Sequence, residues 1–222
     1  MSTGQLFGNA LAQDSGERGL TLPDAELEFT EQFLSPQEAA DCFGSLMAQG
    51  AINWRQDYIK MYGRELAVPR LNAWYGDAGL AYTYSGIPMQ PEPWTSLLGT
   101  LRRKVERAAR APFTSVLINL YRDGRDSVAW HADDEPELGA EPVIASLSLG
   151  ATREFQMRHR RARLSGLPVF RLQLSSGSLL IMRGPTQANW QHQVPKRRGR
   201  HSPGPRINLT FRRILAAGSH TG

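Results

Sequence analysis

A histidine and an aspartate two positions apart, His131 and Asp133, are spaced so that both could bind one metal ion. In an extended segment, positions i and i+2 point to the same side. His192 comes later, after a predicted strand over 178–182, where a folded-back β core could bring it to the same place. Two histidines and one carboxylate leave coordination positions open, as in non-haem Fe(II) sites for oxygen chemistry, whereas a structural zinc site is closed.

The same spacing also has an ordinary explanation. An H-x-D triplet arises by chance in roughly one of four or five chains with this content of histidine and acid. A solvated histidine in a turn is then the usual outcome. The other histidines receive that interpretation, since two lie in basic stretches and one lies near the C-terminus: His159, His201 and His220. The H-x-D spacing alone therefore leaves a metal site and a surface turn open.

A second polar pattern lies in the predicted strand 206–212, with the sequence RINLTFR. Alternation puts Arg206, Asn208 and Arg212 on one face, together with Thr210, and three apolar residues on the other. This polar face could meet solvent. It could also line a pocket for a dicarboxylate, because each guanidinium can donate a two-pronged hydrogen bond to a carboxylate. The residues of the strand alone leave both interpretations open.

The charges are distributed unevenly along the 222 residues. All 21 acidic residues lie within 1–154, whereas 155–222 holds half of the 26 basic residues and no acid. A segment this basic is expected to fold against an acidic part of the protein or to bind a polyanion. The charge distribution therefore favours partners that carry phosphate or carboxylate groups. Two clusters of basic residues are candidates for contacts to phosphate groups, and salt would weaken such contacts. A solvated surface is the common alternative for a run of charges. The clusters are Arg158, Arg160, Arg161 and Arg163, and Lys196, Arg197, Arg198 and Arg200.

Several classes of protein are disfavoured by composition. Cys42 is the only cysteine, so a disulfide framework and a thiolate zinc site are excluded. No apolar run approaches the roughly 20 residues of a membrane span, and residues 1–20 lack the features of a signal peptide. We therefore expect an intracellular protein with no membrane partner, located in the cytoplasm of a prokaryote or in the nucleus of a eukaryote.

The elements that must position these residues change in type along the chain. A capping box at Ser35 and Glu38 predicts a helix that runs to about Gln49. An apolar stripe with steps of three and four predicts a second helix from near Pro93 to Ala108. From Phe113 onward, short strands separated by Gly and Pro predict a sandwich or jelly roll: 114–121, 144–149, 154–158, 169–174, 178–182 and 206–212. The predicted class is mainly β with flanking N-terminal helices (α+β).

The motifs in this order resemble the AlkB family of Fe(II)/2-oxoglutarate dioxygenases, most of all the eukaryotic second and third homologues. The similarity runs from about Met61 to Ile214 and rests on five blocks: YGDAGLAYTYSG (75–86), LINLYRDGRDSVAWHADDE (117–135), IASLSLGATREFQMRH (144–159), GSLLIMRGPTQANWQHQVP (177–195) and RINLTFR (206–212). It implies a double-stranded β-helix, with 113–214 as the jelly-roll core of a single domain 25–222. Residues 25–112 would form a helical and nucleotide-recognition part. Residues 1–60 match the family poorly, and the Gly, Ser and Asp content of 1–24 separately predicts a loosely ordered tail.

The resemblance also implies cofactors and the residues that hold them. His131, Asp133 and His192 would bind Fe(II), and 2-oxoglutarate and the co-substrate O2 would occupy the remaining iron positions. Arg206 matches the family's contact to the distal carboxylate of 2-oxoglutarate. The other matching contacts are Arg212, Asn208, Asn119 and Tyr121.

The implied reaction is DNA repair by oxidative demethylation of N-alkylated bases such as 1-methyladenine and 3-methylcytosine. In it, 2-oxoglutarate becomes succinate and CO2, and the hydroxylated methyl group leaves as formaldehyde. The base must first be flipped out of its stack. Six positions match substrate contacts: Tyr82 and Tyr84 on the flat faces of the base, Asp134 and Glu135 near its exocyclic amine, Tyr62 as a wedge in duplex DNA, and Arg70 toward the substrate strand.

Other functions remain open from the sequence alone. The same chemistry could act on RNA, because a contact to a 2′-hydroxyl leaves no sequence signature. The chain could instead be a catalytically silent jelly-roll module that binds nucleic acid, although the intact metal and arginine positions argue against this. A protein or lipid substrate is disfavoured by the YGDAGLAYTYSG block and by the basic balance. We expect a monomer that acts on alkylated DNA, single- or double-stranded.

Overall fold

In the computed structural model, the described residues are 18–61, 63–80, 82–84, 87–197, 199 and 202–215. Most of these residues form strands. In chain order the strands are β1 Arg18–Leu22, β2 Ala25–Thr30, β3 Tyr58–Met61, β4 Arg64–Ala67, β5 Leu71–Gly76, β6 Tyr82–Tyr84, β7 Ile87–Met89, β8 Glu92–Pro93, β9 Ser115–Tyr121, β10 Val128–His131, β11 Ile144–Gly150, β12 Arg153–His159, β13 Phe170–Leu174, β14 Leu179–Arg183, β15 Trp190–Val194 and β16 Arg206–Arg212. The helices are α1 Pro36–Met47, α2 Ser96–Ala109, α3 Ala162–Ser165 and α4 Thr186–Asn189, with a 3-10 turn at Pro136–Leu138.

The two longer helices begin with side-chain caps. In α1, Ser35 Oγ accepts a hydrogen bond from the Glu38 backbone N–H at 3.3 Å, and a Glu38 carboxylate oxygen accepts from the Ser35 N–H at 2.9 Å. This is the predicted capping box, and it satisfies two of the free N–H groups of the first turn. The helix ends at Met47, two residues before the predicted Gln49. Helix α2 is capped by Thr95 rather than starting near Pro93, and it buries the predicted apolar stripe.

Two sheets form the jelly roll, which confirms the predicted mainly β fold. The larger sheet has the order β1-β2-β14-β11-β16-β9-β5-β8, and the smaller has the order β10-β15-β12-β13. Strand β16 lies inside the larger sheet and pairs antiparallel with both β11 and β9. One apolar cluster packs α1 and α2 on the outer face of the larger sheet, and a second fills the space between the sheets.

The N-terminal segment differs from the sequence prediction. Residues 18–24 are not a loose tail, because β1 pairs with β2 and β2 extends the larger sheet at β14. The indole N–H of Trp190 also donates to the carbonyl of Pro23 at 2.8 Å. Leu20, Leu27 and Phe29 alternate with polar residues in a strand pattern. The glycines and polar residues of 1–17 obscured this alternation in the sequence.

The predicted boundary between 25–112 and 113–214 is crossed by the larger sheet. Strand β5 pairs with β9 along six residues, and β2 pairs with β14 along five. The described part of 25–112 therefore contains seven strands beside α1 and α2 and is more than a helical part. Isolated strands cannot satisfy their backbone hydrogen bonds, so short strands in this part complete the sheet that the later strands begin. Within the described residues, no helix is long and apolar enough to cross a membrane.

Candidate metal centre and the adjoining cavity

Three side chains able to bind a metal meet at the edge of the smaller sheet. Strands β10 and β15 pair antiparallel with His131 opposite His192, and Asp133 follows β10 by two residues. The ligand atoms of these three residues all lie within 4.8 Å of one another. Two imidazoles and one carboxylate at this separation can hold a single ion. The structure thus brings together the three residues that the sequence predicted as metal ligands.

Asp133 is held in its ionised form by its neighbours. Its side chain is 2% exposed, one carboxylate oxygen accepts from Arg212 at 2.5 Å, and its backbone N–H donates to Gln187 at 2.9 Å. Burial raises the pKa of the Asp133 carboxyl, but the neighbouring groups, the guanidinium of Arg212 first among them, lower it more, so that the pKa lies below its usual value. A metal would therefore meet a carboxylate and not a carboxylic acid.

The two histidines are also prepared for coordination. The Nδ1–H of His131 can donate to the backbone carbonyl of Ala129 at 2.8 Å, which leaves its Nε2 as the lone-pair nitrogen. Burial, followed by the nearby His131, lowers the pKa of His192 to about 3. His192 is therefore a neutral imidazole near neutral pH. A metal ion would not have to displace a proton from it.

The polar face of β16 is buried and does not meet solvent. Arg206 is 0% exposed, and Asn208 and Thr210 on the same face are buried with it. One Arg206 nitrogen donates to Ser148 Oγ at 2.9 Å and to Asn208 Oδ1 at 2.7 Å. Its Nε and its other terminal nitrogen are buried and form no well-aligned hydrogen bond among the described residues, although the Tyr121 hydroxyl is near enough to favour the charged guanidinium. Because this face is buried, it cannot be the solvent-exposed face that the sequence left open. The buried Arg206 donors that lack a strong partner suit an anion.

Burial changes the electrostatics of Arg206 as well. Loss of water around the guanidinium lowers the pKa of Arg206 to about 10, which still leaves it charged near neutral pH. The guanidinium carbon lies 5.2 Å from the ring centroid of Tyr121, within the range of a cation–π contact. A fully buried charge without a carboxylate partner is costly to maintain. Such a charge is expected where a ligand supplies the missing negative group.

A cavity of about 150 Å³ joins the metal residues to this polar face. It is lined by all three candidate metal ligands and by four of the five residues predicted to hold 2-oxoglutarate: Asn119, Tyr121, Asn208 and Arg212. Arg206 is not part of the lining. It contacts two lining residues, Tyr121 and Asn208. The guanidinium therefore lies directly behind the cavity wall and not at its surface.

The residues predicted to contact a base fall into different surroundings. Glu135 lines the cavity, whereas the exposed carboxylate of Asp134 accepts a hydrogen bond from Arg160 at 2.5 Å. Arg70 also lines the cavity, and its Nε donates to Asn119 Oδ1 at 2.9 Å. Tyr82 and Tyr84 are the first and last residues of β6, which pairs with β7. Tyr62 lies outside the described residues.

Three polar residues near the cavity were not found from the sequence. Asp57 lines the cavity and accepts from the side-chain amide of Asn72 at 2.5 Å. Gln187 is buried in α4 and accepts from the Asp133 backbone. Arg153 begins β12 with its guanidinium in the interior. In a strand, Arg153 lies on the same face as Phe155 and Met157, so the sequence pattern could have indicated that its side chain points inward. Nothing in the sequence indicated that Asp57 and Gln187 would come near the metal residues.

The two basic clusters lie at the surface near this edge. Arg158 stacks on Trp130, with its guanidinium carbon 4.5 Å from the ring centroid, and it donates to Gln191. Arg160 pairs with Asp134, and Lys196 and Arg197 are exposed in the loop after β15. Arg198 and Arg200 lie outside the described residues. Arg160 thus lies beside the residue that follows Asp133, whereas Lys196 and Arg197 lie beside the turn between β9 and β10.

Comparison with known proteins identifies related chains. The model of the 2OG-Fe(II) oxygenase superfamily matches residues 26–212. The human alpha-ketoglutarate-dependent dioxygenase alkB homolog 3 is 51% identical over 152 residues, which cover 66% of this chain and 52% of that protein. The human DNA oxidative demethylase ALKBH2 is 44% identical over 161 residues, which cover 71% of this chain and 61% of that protein.

More distant matches support the same family or the same fold. The DNA oxidative demethylase ALKBH2 of Arabidopsis thaliana is 35% identical over 214 residues, which cover 86% of this chain and 67% of that protein. The solved structure described as "The structure of OsALKBH1" superposes with a TM-score of 0.60 at 17% identity, and covers 89% of this chain and 100% of that chain. That superposition supports the fold alone. The chain spans about half the length of the alkB homolog 3 proteins that it matches.

Proposed function

The chain belongs to the 2OG-Fe(II) oxygenase superfamily and, within it, to the AlkB family, and from this premise we propose that it repairs DNA by oxidative demethylation of N-alkylated bases. Bases such as 1-methyladenine and 3-methylcytosine are the proposed substrates, with formaldehyde as a product. The observation that carries the proposal is the cluster of His131, Asp133 and His192 beside a cavity whose far wall adjoins the buried Arg206.

The family uses Fe(II) and 2-oxoglutarate, and the residues present fit both. Two imidazoles and one ionised carboxylate suit Fe(II), and the buried donors of Arg206 suit a carboxylate. When bound, the iron and 2-oxoglutarate would supply the oxidation of the methyl group by O2. We assign the iron to His131, Asp133 and His192. We assign 2-oxoglutarate to the residues that line or adjoin the cavity: Arg206, Arg212, Asn208, Asn119 and Tyr121.

The protein residues have defined tasks in this reaction. Arg212 donates to Asp133 and lines the cavity, so it can hold the carboxylate ligand in place while it faces a second anion. Gln187 fixes the backbone of Asp133 from the other side. Such outer partners set the orientation of metal ligands. The buried walls keep water from the reacting centre, which also strengthens each charge interaction inside.

Recognition of the base is proposed for residues around the cavity mouth. A base within a duplex cannot reach the metal residues, so it must leave its stack first. Glu135 lines the cavity and would favour a cationic methylated base over a neutral one. Asp134 would act less directly, because Arg160 already neutralises it in part. Tyr82, Tyr84, Tyr62 and Arg70 complete the proposed substrate contacts.

The outer basic residues are proposed to hold the phosphate backbone. The exposed positions of Arg163, Lys196 and Arg197 support this, together with the ion pair that holds Arg160 beside Asp134. Contacts of this kind place a strand without reading its sequence. We therefore propose DNA as the polyanion and expect little sequence preference.

A demethylation assay tests the proposal. The protein would be offered 1-methyladenine and 3-methylcytosine in single-stranded DNA, in double-stranded DNA and in RNA, with and without Fe(II) and 2-oxoglutarate. We expect formaldehyde release that requires both cofactors and is greatest on DNA. His131→Ala should abolish turnover yet retain oligonucleotide binding, whereas a pure binding module would be unaffected. If no substrate gave cofactor-dependent formaldehyde release, the proposed function would be refuted. If release were greatest on RNA, RNA and not DNA would be the substrate.

A further inference from the structure

Arg153 is a buried arginine whose hydrogen bonds go to backbone carbonyls. Its side chain begins β12 and is 1% exposed. One terminal nitrogen donates to the carbonyl of Asp123 at 3.1 Å, and the other donates to the carbonyls of Asp126 and Pro195, both at 2.8 Å. Among the described residues, no carboxylate forms an ion pair with it. Its charge is therefore solvated mainly by oriented backbone dipoles, and the carboxylates of Asp126 and Asp123 act on it without a direct ion pair.

The three carbonyls belong to two connections that bear on the cavity. Asp123 and Asp126 lie in the turn between β9, which ends at Tyr121, and β10, which ends at His131. Pro195 begins the connection between β15 and β16, and β16 begins at Arg206. Arg153 thus joins the segment that follows Tyr121 to the segment that precedes Arg206. These are the two residues at the end of the cavity that the buried guanidinium adjoins.

A second set of contacts ties the same two connections together. The Arg197 backbone N–H donates to the carbonyl of Gly124 at 2.7 Å, and the Gly124 N–H donates to Ser202 Oγ at 3.0 Å. A Cβ at Gly124 would overlap the carbonyl oxygen of Arg197, so only glycine permits this approach. We call the contacts of Arg153, Gly124 and Ser202 the loop clasp. It joins the two connections through the Arg153 and Ser202 side chains and through one direct backbone contact at Gly124, where there is no room for a side chain.

The charge of Arg153 is also close to the ring that Arg206 contacts. The Arg153 guanidinium carbon lies 5.5 Å from the Tyr121 ring centroid, and that of Arg206 lies 5.2 Å from it. Burial lowers the pKa of Arg153, and the same is true of Arg206. Two desolvated cations around one aromatic ring repel each other. A dianion that binds beside them would relieve this repulsion, and its attraction would be felt strongly in a medium of low dielectric constant.

We propose that Arg153 is a positioning residue for 2-oxoglutarate, which holds the two connections so that Tyr121 and Arg206 stand at the spacing that the distal carboxylate requires. Its charge, which no carboxylate contacts directly, adds attraction for the dianion. The inference deepens the proposed function and rests only on its 2-oxoglutarate site, not on the choice of DNA as substrate. A purely structural arginine could have been paired with a carboxylate, which would oppose the binding of an anion at this place.

The test uses three variants of the full chain. Arg153→Met removes the charge and the donors, and Arg153→Lys keeps the charge but cannot reach all three carbonyls. Arg171→Met is the matched control, because Arg171 lies on the neighbouring β13 and forms an exposed pair with Glu154. Binding of 2-oxoglutarate to the Mn(II)-loaded protein would be measured by calorimetry without nucleic acid. Mn(II) affinity and the melting temperature would be measured on the same samples.

We expect Arg153→Met to weaken 2-oxoglutarate binding by roughly 10- to 100-fold, the usual effect of removing an outer partner of a site. Mn(II) affinity should change little, because the contacts of Asp133 to Arg212 and Gln187 remain. Arg153→Lys should recover part of the loss, and Arg171→Met should behave as the unaltered protein. In turnover, the KM for 2-oxoglutarate should rise while kcat at saturating 2-oxoglutarate changes much less.

Gly124→Ala and Ser202→Ala keep the proposal testable if Arg153→Met does not fold. Ser202→Ala removes one hydrogen bond of the loop clasp at an exposed residue, and Gly124→Ala forces the two connections apart at a buried residue. Both should weaken 2-oxoglutarate binding selectively. Normal 2-oxoglutarate binding in the folded clasp variants would overturn the proposal. Parallel loss of Mn(II) binding, 2-oxoglutarate binding and melting temperature would also overturn it, because that pattern indicates a structural role. Failure of the unaltered protein to bind 2-oxoglutarate would count against the proposed function instead.

Discussion

The arginines inside the jelly roll and those on its surface carry the same charge in very different surroundings. The inner arginines are Arg153, Arg206 and Arg212, and fixed acceptors such as the Asp123 carbonyl, Ser148 Oγ and the Asp133 carboxylate receive their hydrogen bonds. The outer basic segments, 158–163 and 196–200, have exposed members such as Arg163 and Lys196. An inner charge has one geometry and little screening, whereas an outer charge is mobile and screened by salt.

This difference corresponds to the two kinds of binding that the proposed function requires. A small cofactor must be placed to within a fraction of an ångström for the chemistry to proceed, and only a buried and fully packed donor achieves this. A nucleic acid strand needs attraction and an approximate position, which exposed cations supply. Variants of the inner group should therefore change the chemistry, and variants of the outer group should change affinity and its dependence on salt.

The largest effect is expected at the buried carboxylate. Asp133→Asn replaces a charged metal ligand with a neutral amide and removes the carboxylate that accepts from Arg212, so Mn(II) affinity should fall by more than about a hundredfold. Metal titration of the purified protein measures this. Asp134→Asn is the matched control, because the neighbouring Asp134 is exposed and pairs with Arg160. Equal metal affinity in the two variants would remove Asp133 from the proposed iron site.

The next effect concerns the unsatisfied guanidinium. Arg206→Met should weaken 2-oxoglutarate binding by roughly a hundredfold, because a buried carboxylate loses its charged partner. The melting temperature should fall little or even rise, since the variant also removes an uncancelled buried charge. Calorimetric titration with 2-oxoglutarate and thermal unfolding would be compared. A large loss of stability with unchanged 2-oxoglutarate binding would show that Arg206 is a structural residue. The inner arginines would then not differ from the outer ones by binding the cofactor.

A smaller effect is expected when pH is varied in the metal-free protein. The pKa of His192 is lowered from 6.5 to about 3 in the folded state, so the unfolded chain binds the proton more readily. Stability from this group is complete above pH 6.5 and is lost as pH falls from there toward 3. The lowered pKa of Asp133 acts in the same direction at lower pH. The melting temperature should thus decrease between pH 7 and pH 5.

His192→Gln provides the control for this pH dependence. Glutamine does not titrate, so the decrease in melting temperature over this range should become shallower in the variant. If the two proteins lose stability in parallel, other groups cause the pH dependence and the buried imidazole does not contribute to it.

The smallest effect is expected at the surface. Lys196→Ala should weaken oligonucleotide binding modestly and reduce the slope of log affinity against log salt concentration by about one for each phosphate that the side chain neutralises. Binding of 2-oxoglutarate should not change. Fluorescence anisotropy at several salt concentrations measures the slope, and Arg171→Ala is the control for removal of a surface charge elsewhere. An unchanged slope would show that Lys196 does not bind phosphate.

Several features were predictable because they depend on local chemistry. The capping box at Ser35, the apolar stripe of α2 and the alternation of β16 follow from hydrogen bonding and periodicity within one segment. The positions of His131, Asp133 and His192 were predicted as a metal set, and the structure brings them together. The strands at Arg18–Leu22 and Leu71–Gly76 were missed, because short strands obtain most of their stability from pairing with distant residues.

The amino-acid sequence by itself determined the mainly β class, the residue types of the metal cluster and the family to which the chain belongs. Only the tertiary structure decided which polar faces are buried: the face of β16 with Arg206 is inside, whereas Asp134 is exposed and paired with Arg160. It also decided that Arg153 binds the carbonyls of Asp123, Asp126 and Pro195. Alternation states only that two side chains share a face. Whether that face meets water, a carbonyl or a ligand depends on the segments that fold against it.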